Sequence, residues 1–137
     1  MYLVDNPIQL SSETKNINQI DKIISSIFER YNLPEELFGN VLIALTEAVN
    51  NAIMHGNNCN SLKKVLISHC LVENKTLSFS VSDEGAGFDP NSLPDPTDPI
   101  NIEKIGGRGV FLMRQLSDNL IFNDNGRNVV IEFKLGN

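Results

Sequence analysis

Glu47-Ala48-Val49-Asn50-Asn51-Ala52-Ile53-Met54-His55 decides how this chain is read. It is the second half of a segment in which Leu37, Val41, Leu42, Leu45, Ala48, Val49, Ala52 and Ile53 recur at intervals of three and four, the spacing of one apolar helix face. Pro34 suits the first helical position and Glu35 and Glu36 the positive end of the helix dipole, while Gly56 and Asn57 release the helix near His55. On such a helix Glu47, Asn51 and His55 are successive i, i+4 neighbours, with Asn50 one position from Asn51. A carboxylate can accept a proton, and an asparagine carbonyl is a neutral oxygen ligand suited to Mg²⁺, whose remaining sites are filled by water and phosphates. Taken alone, the same residues also fit the exposed polar side of an amphipathic helix, and His55 a simple helix-end cap.

Upstream, residues 2–10 are short, mixed in polarity and broken by Pro7, which suits an edge strand. Ile17, Ile20, Ile23, Ile24, Ile27, Phe28 and Tyr31 then make an apolar helical stripe, for which Ser11 or Ser12 is the expected cap. Downstream, residues 65–72 read as a largely buried strand and residues 76–82 as an alternating one, joined at hairpin length by Glu73-Asn74-Lys75. A long proline- and glycine-rich connection comes next, with the character of a lid over Asp89 to Lys104. A short helix starting at the glycines, a strand over 120–123, a turn at Asn125-Gly126 and a strand over 129–135 complete the order. Two long helices against four or five mostly antiparallel strands predict an α/β two-layer sandwich with a mixed, mostly antiparallel sheet covered by helices.

The 137 residues suit a single domain, 1–137, and 41% hydrophobic with 20% charged residues is the composition of a globular chain. A net charge of -6, with no basic cluster beyond Lys63-Lys64, disfavours a nucleic-acid partner. Two cysteines without C-x-x-C spacing fit a reducing cytoplasm, and two histidines with two distant cysteines make a poor zinc set. The opening residues lack a basic region followed by an apolar run, and membrane insertion is not expected.

Two further stretches carry chemistry. Asp83-Glu84-Gly85-Ala86-Gly87-Phe88 closes a strand with an acceptor for the exocyclic amine of a base and with glycines that permit close approach. Gly106-Gly107-Arg108-Gly109-Val110-Phe111-Leu112-Met113 presents backbone amides at the start of a helix, suited to phosphates, with the Arg108 fork beside them. Neither is a Walker A loop nor a Rossmann fingerprint. Each alone is also an ordinary glycine turn or hinge, but with the Glu47–His55 helix they supply base, phosphate and metal contacts together.

In these three stretches, with Gly56, the chain resembles the N-box and the two glycine boxes of the gyrase, Hsp90, histidine-kinase and MutL ATPase superfamily, and within it most resembles the bacterial anti-sigma-factor serine kinases. The resemblance covers almost the whole chain and implies a Bergerat-type ATP-binding fold with ATP and Mg²⁺ as cofactors. It casts Asn51 as the Mg²⁺-binding asparagine, Glu47 as general base and Asp83 as the adenine-recognising aspartate. Gly85 and Gly87 would be base-pocket glycines, and Gly106, Gly107, Arg108 and Gly109 the lid and phosphate segment. His55, Phe88 and Val110, inside the matched boxes, and Asn128, near the place where the family often carries threonine, join the nucleotide-binding set.

Two functions compete on this basis. One is a Mg-ATP-dependent serine kinase acting on an anti-sigma-factor antagonist and able to hold a sigma factor, with a homodimer implied by the resemblance. The other is a non-catalytic module in which ATP or ADP sets the lid and the affinity for a partner. Intact Glu47 and Asn51 favour the kinase.

Overall fold

Residues 2–4, 7–85 and 107–136 are described by the computed structural model, with side chains from residue 7 to 85 and from 108 to 136. The strands are β1 (Tyr2–Val4), β2 (Ile8–Ser11), β3 (Lys64–Val72), β4 (Thr76–Ser82), β5 (Asn119–Asn123) and β6 (Asn128–Lys134), and the helices are α1 (Ile20–Tyr31), α2 (Phe38–Asn51) and α3 (Gly107–Leu116). All described pairings are antiparallel, in the order β1-β3-β4-β6-β5 with β2 also on β3. Six strands thus fill five positions. Val4 at the end of β1 faces Cys70, and Ile8 at the start of β2 faces Ile67. The single strand expected over 2–10 is thus two, and Pro7, which has no amide to donate to a ladder, stands just before the second.

One face of the sheet carries the helices. Val65, Ile67 and Leu71 of β3, Leu77, Phe79 and Val81 of β4, and Val129, Ile131 and Phe133 of β6 are buried on that face, with the two-residue period of a strand that has one side covered. Ile20, Ile24, Ile27 and Phe28 of α1, Val41, Ala44, Leu45, Ala48 and Val49 of α2, and Val110 and Met113 of α3 complete that core. The opposite face of β3 carries the exposed Leu66, so the run expected to be largely buried is one-sided.

Helix starts differ from expectation. Neither Ser11 nor Ser12 caps α1, which is preceded by a 3-10 turn over Thr14–Gln19. The Ser12 hydroxyl instead donates to the Lys63 carbonyl at 2.9 Å, tying the end of β2 to the chain entering β3. Pro34 likewise stands just before a 3-10 turn, Glu35–Leu37, and α2 begins one turn later than its proline suggests.

The end of α2 is the most consequential local feature. Ala52–Gly56 forms a single π turn, closed by the Asn57 amide donating to the Ala52 carbonyl at 2.9 Å. Such wide turns occur mostly as single insertions and often at functional sites. The Glu35–Gly56 run is long and apolar enough to cross a bilayer by composition; here the α2 stripe is packed in the core against the sheet.

Candidate nucleotide site

Glu47 and Asn51 lie one α-turn apart on α2, half-buried, and face the start of α3. A methyl group at Gly109 would stand 2.9 Å from Asn51 Nδ2, 3.2 Å from Asn51 Oδ1 and 3.1 Å from Glu47 Oε2. The glycine therefore lets the α3 backbone approach both side chains, which no larger residue would allow without displacing them. Gly107 opens α3, Arg108 is exposed in its first turn, and Val110 sends its side chain into the core. Val110 can thus address a ligand only through its backbone.

The π turn interrupts the α spacing expected from Asn51 to His55, because the wider turn rotates the residues beyond it. His55 falls inside that turn, partly exposed, and is not the next member of an α-helical row with Glu47 and Asn51. The same turn carries Gly56 under Asp83. A Cβ at Gly56 would collide with the Asp83 carboxylate, and one at Gly85 with the Gly56 carbonyl oxygen. A bare backbone at Gly85 is therefore needed for the turn after β4 to sit on the end of α2, and one at Gly56 for the Asp83 carboxylate to keep its place over that end.

Asp83 is held from several sides. Its amide donates to the Arg127 carbonyl at 2.9 Å, and its Oδ1 accepts from the Gly85 amide at 2.8 Å. Burial pushes its carboxyl above the ordinary range, opposed by the Gly85 amide and the charges of Arg127 and Lys63, while Asp124 adds to the rise. A folded-state value raised above the unfolded one means that Asp83 contributes stability when protonated, below the ordinary carboxylate range, and that this is lost as pH rises through the raised value. Asp83→Asn should therefore melt higher than the parent at neutral pH, with the advantage shrinking toward pH 4. A melting temperature unchanged or lower at pH 7 would contradict the desolvated carboxylate.

Asn128 is not brought to this cluster. It pairs with Ser82 in the ladder, and its Nδ2 donates to Ser80 Oγ at 2.8 Å and Ser82 Oγ at 2.7 Å. Those serines alternate with the buried Phe79 and Val81, so Asn128 lies on the sheet face away from the helices. The neighbouring residue beside Asp83 is Arg127, whose Nε lies 3.5 Å from Asp124 Oδ2. Gly87, Phe88, Gly106 and the lid segment Asp89 to Lys104 fall outside the described residues.

Asn57, treated in the sequence only as a helix stop, is buried at the centre of this region. Its Nδ2 donates to Ser12 Oγ at 2.8 Å and to the Lys64 carbonyl at 3.0 Å, while its Oδ1 accepts from the Glu84 amide at 2.8 Å. Nothing local in the sequence signals this, because its partners come from the end of β2, from β3 and from the turn after β4.

The arrangement groups a carboxylate and an amide oxygen on one helix, a glycine helix start against them, and a second carboxylate at the end of the same helix. The model of the histidine kinase-like ATPase domain matches residues 10–133. The chain belongs to that family. It is 26% identical over 131 residues to the serine-protein kinase RsbW of Listeria monocytogenes, covering 90% of this chain and 83% of the relative. It is 27% identical over 107 residues to the RsbW of Oceanobacillus iheyensis, covering 74% and 67%. The anti-sigma F factor of Clostridium perfringens matches at 26% identity over 141 residues, 96% of this chain and 99% of the relative. The histidine kinase-like ATPase fold thus accounts for the antiparallel sheet with helices on one face and for the matched segment running from β2 to β6.

Proposed function

We propose that this protein is an anti-sigma factor and serine kinase that transfers the γ-phosphate of ATP to an anti-sigma-factor antagonist protein. The observation that carries the reading is the close approach of Glu47 and Asn51 to the glycine start of α3, which leaves no room for a side chain at Gly109, on the helix whose far end meets Asp83. The similarity to relatives named serine-protein kinase and anti-sigma F factor supports it.

In this reading Asp83 accepts from the exocyclic amine of adenine, and Gly85, with Gly87 and Phe88, completes the base pocket. Backbone amides from Gly106 to Gly109, and Val110 through its own amide, receive the phosphates with Arg108. Asn51 offers the neutral oxygen that would hold Mg²⁺, a cation whose remaining sites phosphates and water fill. When bound, it would neutralise charge on the transferred group. Glu47 takes the proton of the substrate serine as its oxygen bonds to the γ-phosphorus and the bond to the ADP oxygen breaks. His55 lines the approach from the π turn. Asn128, on the other sheet face, is proposed to act only by bracing β4 against β6.

The partners in this reading are a sigma factor, the antagonist and a second copy of the chain, in the cytoplasm. The test incubates the purified protein with Mg-ATP and each antagonist-like protein of its genome, followed by phosphosite mapping. Phosphorylation of one partner on a serine is expected. Nucleotide binding with no transfer to any of them would overturn the kinase and favour a nucleotide-dependent binding module. Asp83→Asn should also narrow the preference for ATP over GTP in calorimetry, since a donor amide replaces one acceptor oxygen.

A further inference from the structure

We propose that Asn57 is a positioning residue for base recognition, holding the turn Asp83–Gly85 against the end of α2. The inference rests on the nucleotide-binding reading above and adds to it a residue that touches no part of the nucleotide. Asn57 is 1% exposed, and each end of its amide meets a group of the opposite character. The Lys64 carbonyl can only accept, and the Glu84 amide can only donate, so the side chain has a single satisfied orientation. A flip would oppose like dipoles at both ends.

The geometry divides the labour. Nδ2 reaches inward to Ser12 and Lys64, and Ser12 passes the connection to the Lys63 carbonyl. Oδ1 reaches the other way, to the amide of the residue immediately after Asp83. The turn is latched a second time by the Lys64 amide donating to Glu84 Oε2 at 2.6 Å, but that contact is exposed. Asn57 supplies the more protected latch, part-buried at the Glu84 amide and anchored by a buried bond to Ser12. The Asp83 carboxylate lies so close over Gly56 that a small displacement of the turn changes where it presents its oxygens. A group that positions another by a buried hydrogen bond affects affinity without touching the ligand.

Base selectivity should therefore follow Oδ1, and stability should follow Nδ2. Asn57→Ala removes both and should weaken ADP binding about tenfold and narrow the ratio of ATP to GTP affinity, with a lower melting temperature. Asn57→Asp keeps an acceptor for the Glu84 amide and loses the donors, so it should melt lower yet retain the selectivity ratio. Ser12→Ala should destabilise with selectivity intact. These three variants and the parent would be compared by thermal melts and by calorimetry with ATP, ADP and GTP. Parental selectivity in folded Asn57→Ala, or lost selectivity in folded Asn57→Asp, would overturn the assignment. In the parent protein the Glu84 amide should exchange as slowly as those of β4; fast exchange there would overturn it without any variant. Absence of nucleotide binding by the parent would instead sink the nucleotide reading, and this proposal with it.

Discussion

Glu47→Gln should bind ATP close to as tightly as the parent and transfer phosphate about 10²-fold to 10⁴-fold more slowly. Glutamine keeps the size and hydrogen-bonding reach of the side chain against Gly109, but it cannot take up the serine proton. Asn51→Ala provides the contrast. It removes the oxygen offered to the cation in the ground-state complex, so Mg²⁺-dependent binding and turnover should fall together. Single-turnover phosphorylation of one protein substrate, beside ATP affinities measured with and without Mg²⁺, separates the two patterns. Near-parental transfer by Glu47→Gln would refute the general-base role and leave positioning and electrostatics to account for the rate.

Gly56→Ala should weaken adenine-nucleotide binding by about 10²-fold, the loss of one charged hydrogen bond in a desolvated site, while barely changing the melting temperature. The added methyl group meets the Asp83 carboxylate, the far end of a side chain, which can rotate away, losing its bond from the Gly85 amide but shedding its desolvation. Rotation preserves the fold and removes the acceptor from the base. Gly85→Ala is the control with the opposite balance. Its methyl group meets the Gly56 carbonyl, and backbone cannot rotate aside, so stability should fall by about 1–3 kcal/mol. Urea unfolding and ADP calorimetry on both variants check the pair. ADP affinity unchanged in Gly56→Ala would show that the Asp83 carboxylate, in the position described, does not read the base.

Much of the architecture was legible because its signals are local. The stripe from Ile20 to Phe28, the α2 stripe from Val41 to Val49 and the alternation of Leu77, Phe79 and Val81 each name a buried face within a few residues, and the observed elements match them. The start of α3 at Gly107 was legible from the glycines as well. What misled was local chemistry with a distant competitor. Ser12 has the side chain of a helix cap, but the Lys63 carbonyl, 51 residues away, takes its hydroxyl. Residues 65–72 read as largely buried because they are apolar, whereas among the described residues only one sheet face is covered by helices.

The candidate site divides along the same line. Sequence by itself determined that a carboxylate and an asparagine share one helix face, that glycines open α3 and that an aspartate ends β4, since helical periodicity and the freedom of glycine are properties of neighbouring residues. Tertiary structure alone decided which of these meet. It set Gly109 on Glu47 and Asn51 and Gly56 under Asp83. It turned Asn128 to the far face of the sheet through the pairing of Ser82 with Asn128, because strand side chains alternate and a shift of one residue reverses the face. It also recruited Asn57, whose partners Ser12 and Glu84 lie 45 and 27 residues away. Hydrogen bonds over such separations depend on how the chain closes on itself, and a buried amide must find its partners wherever the fold puts them.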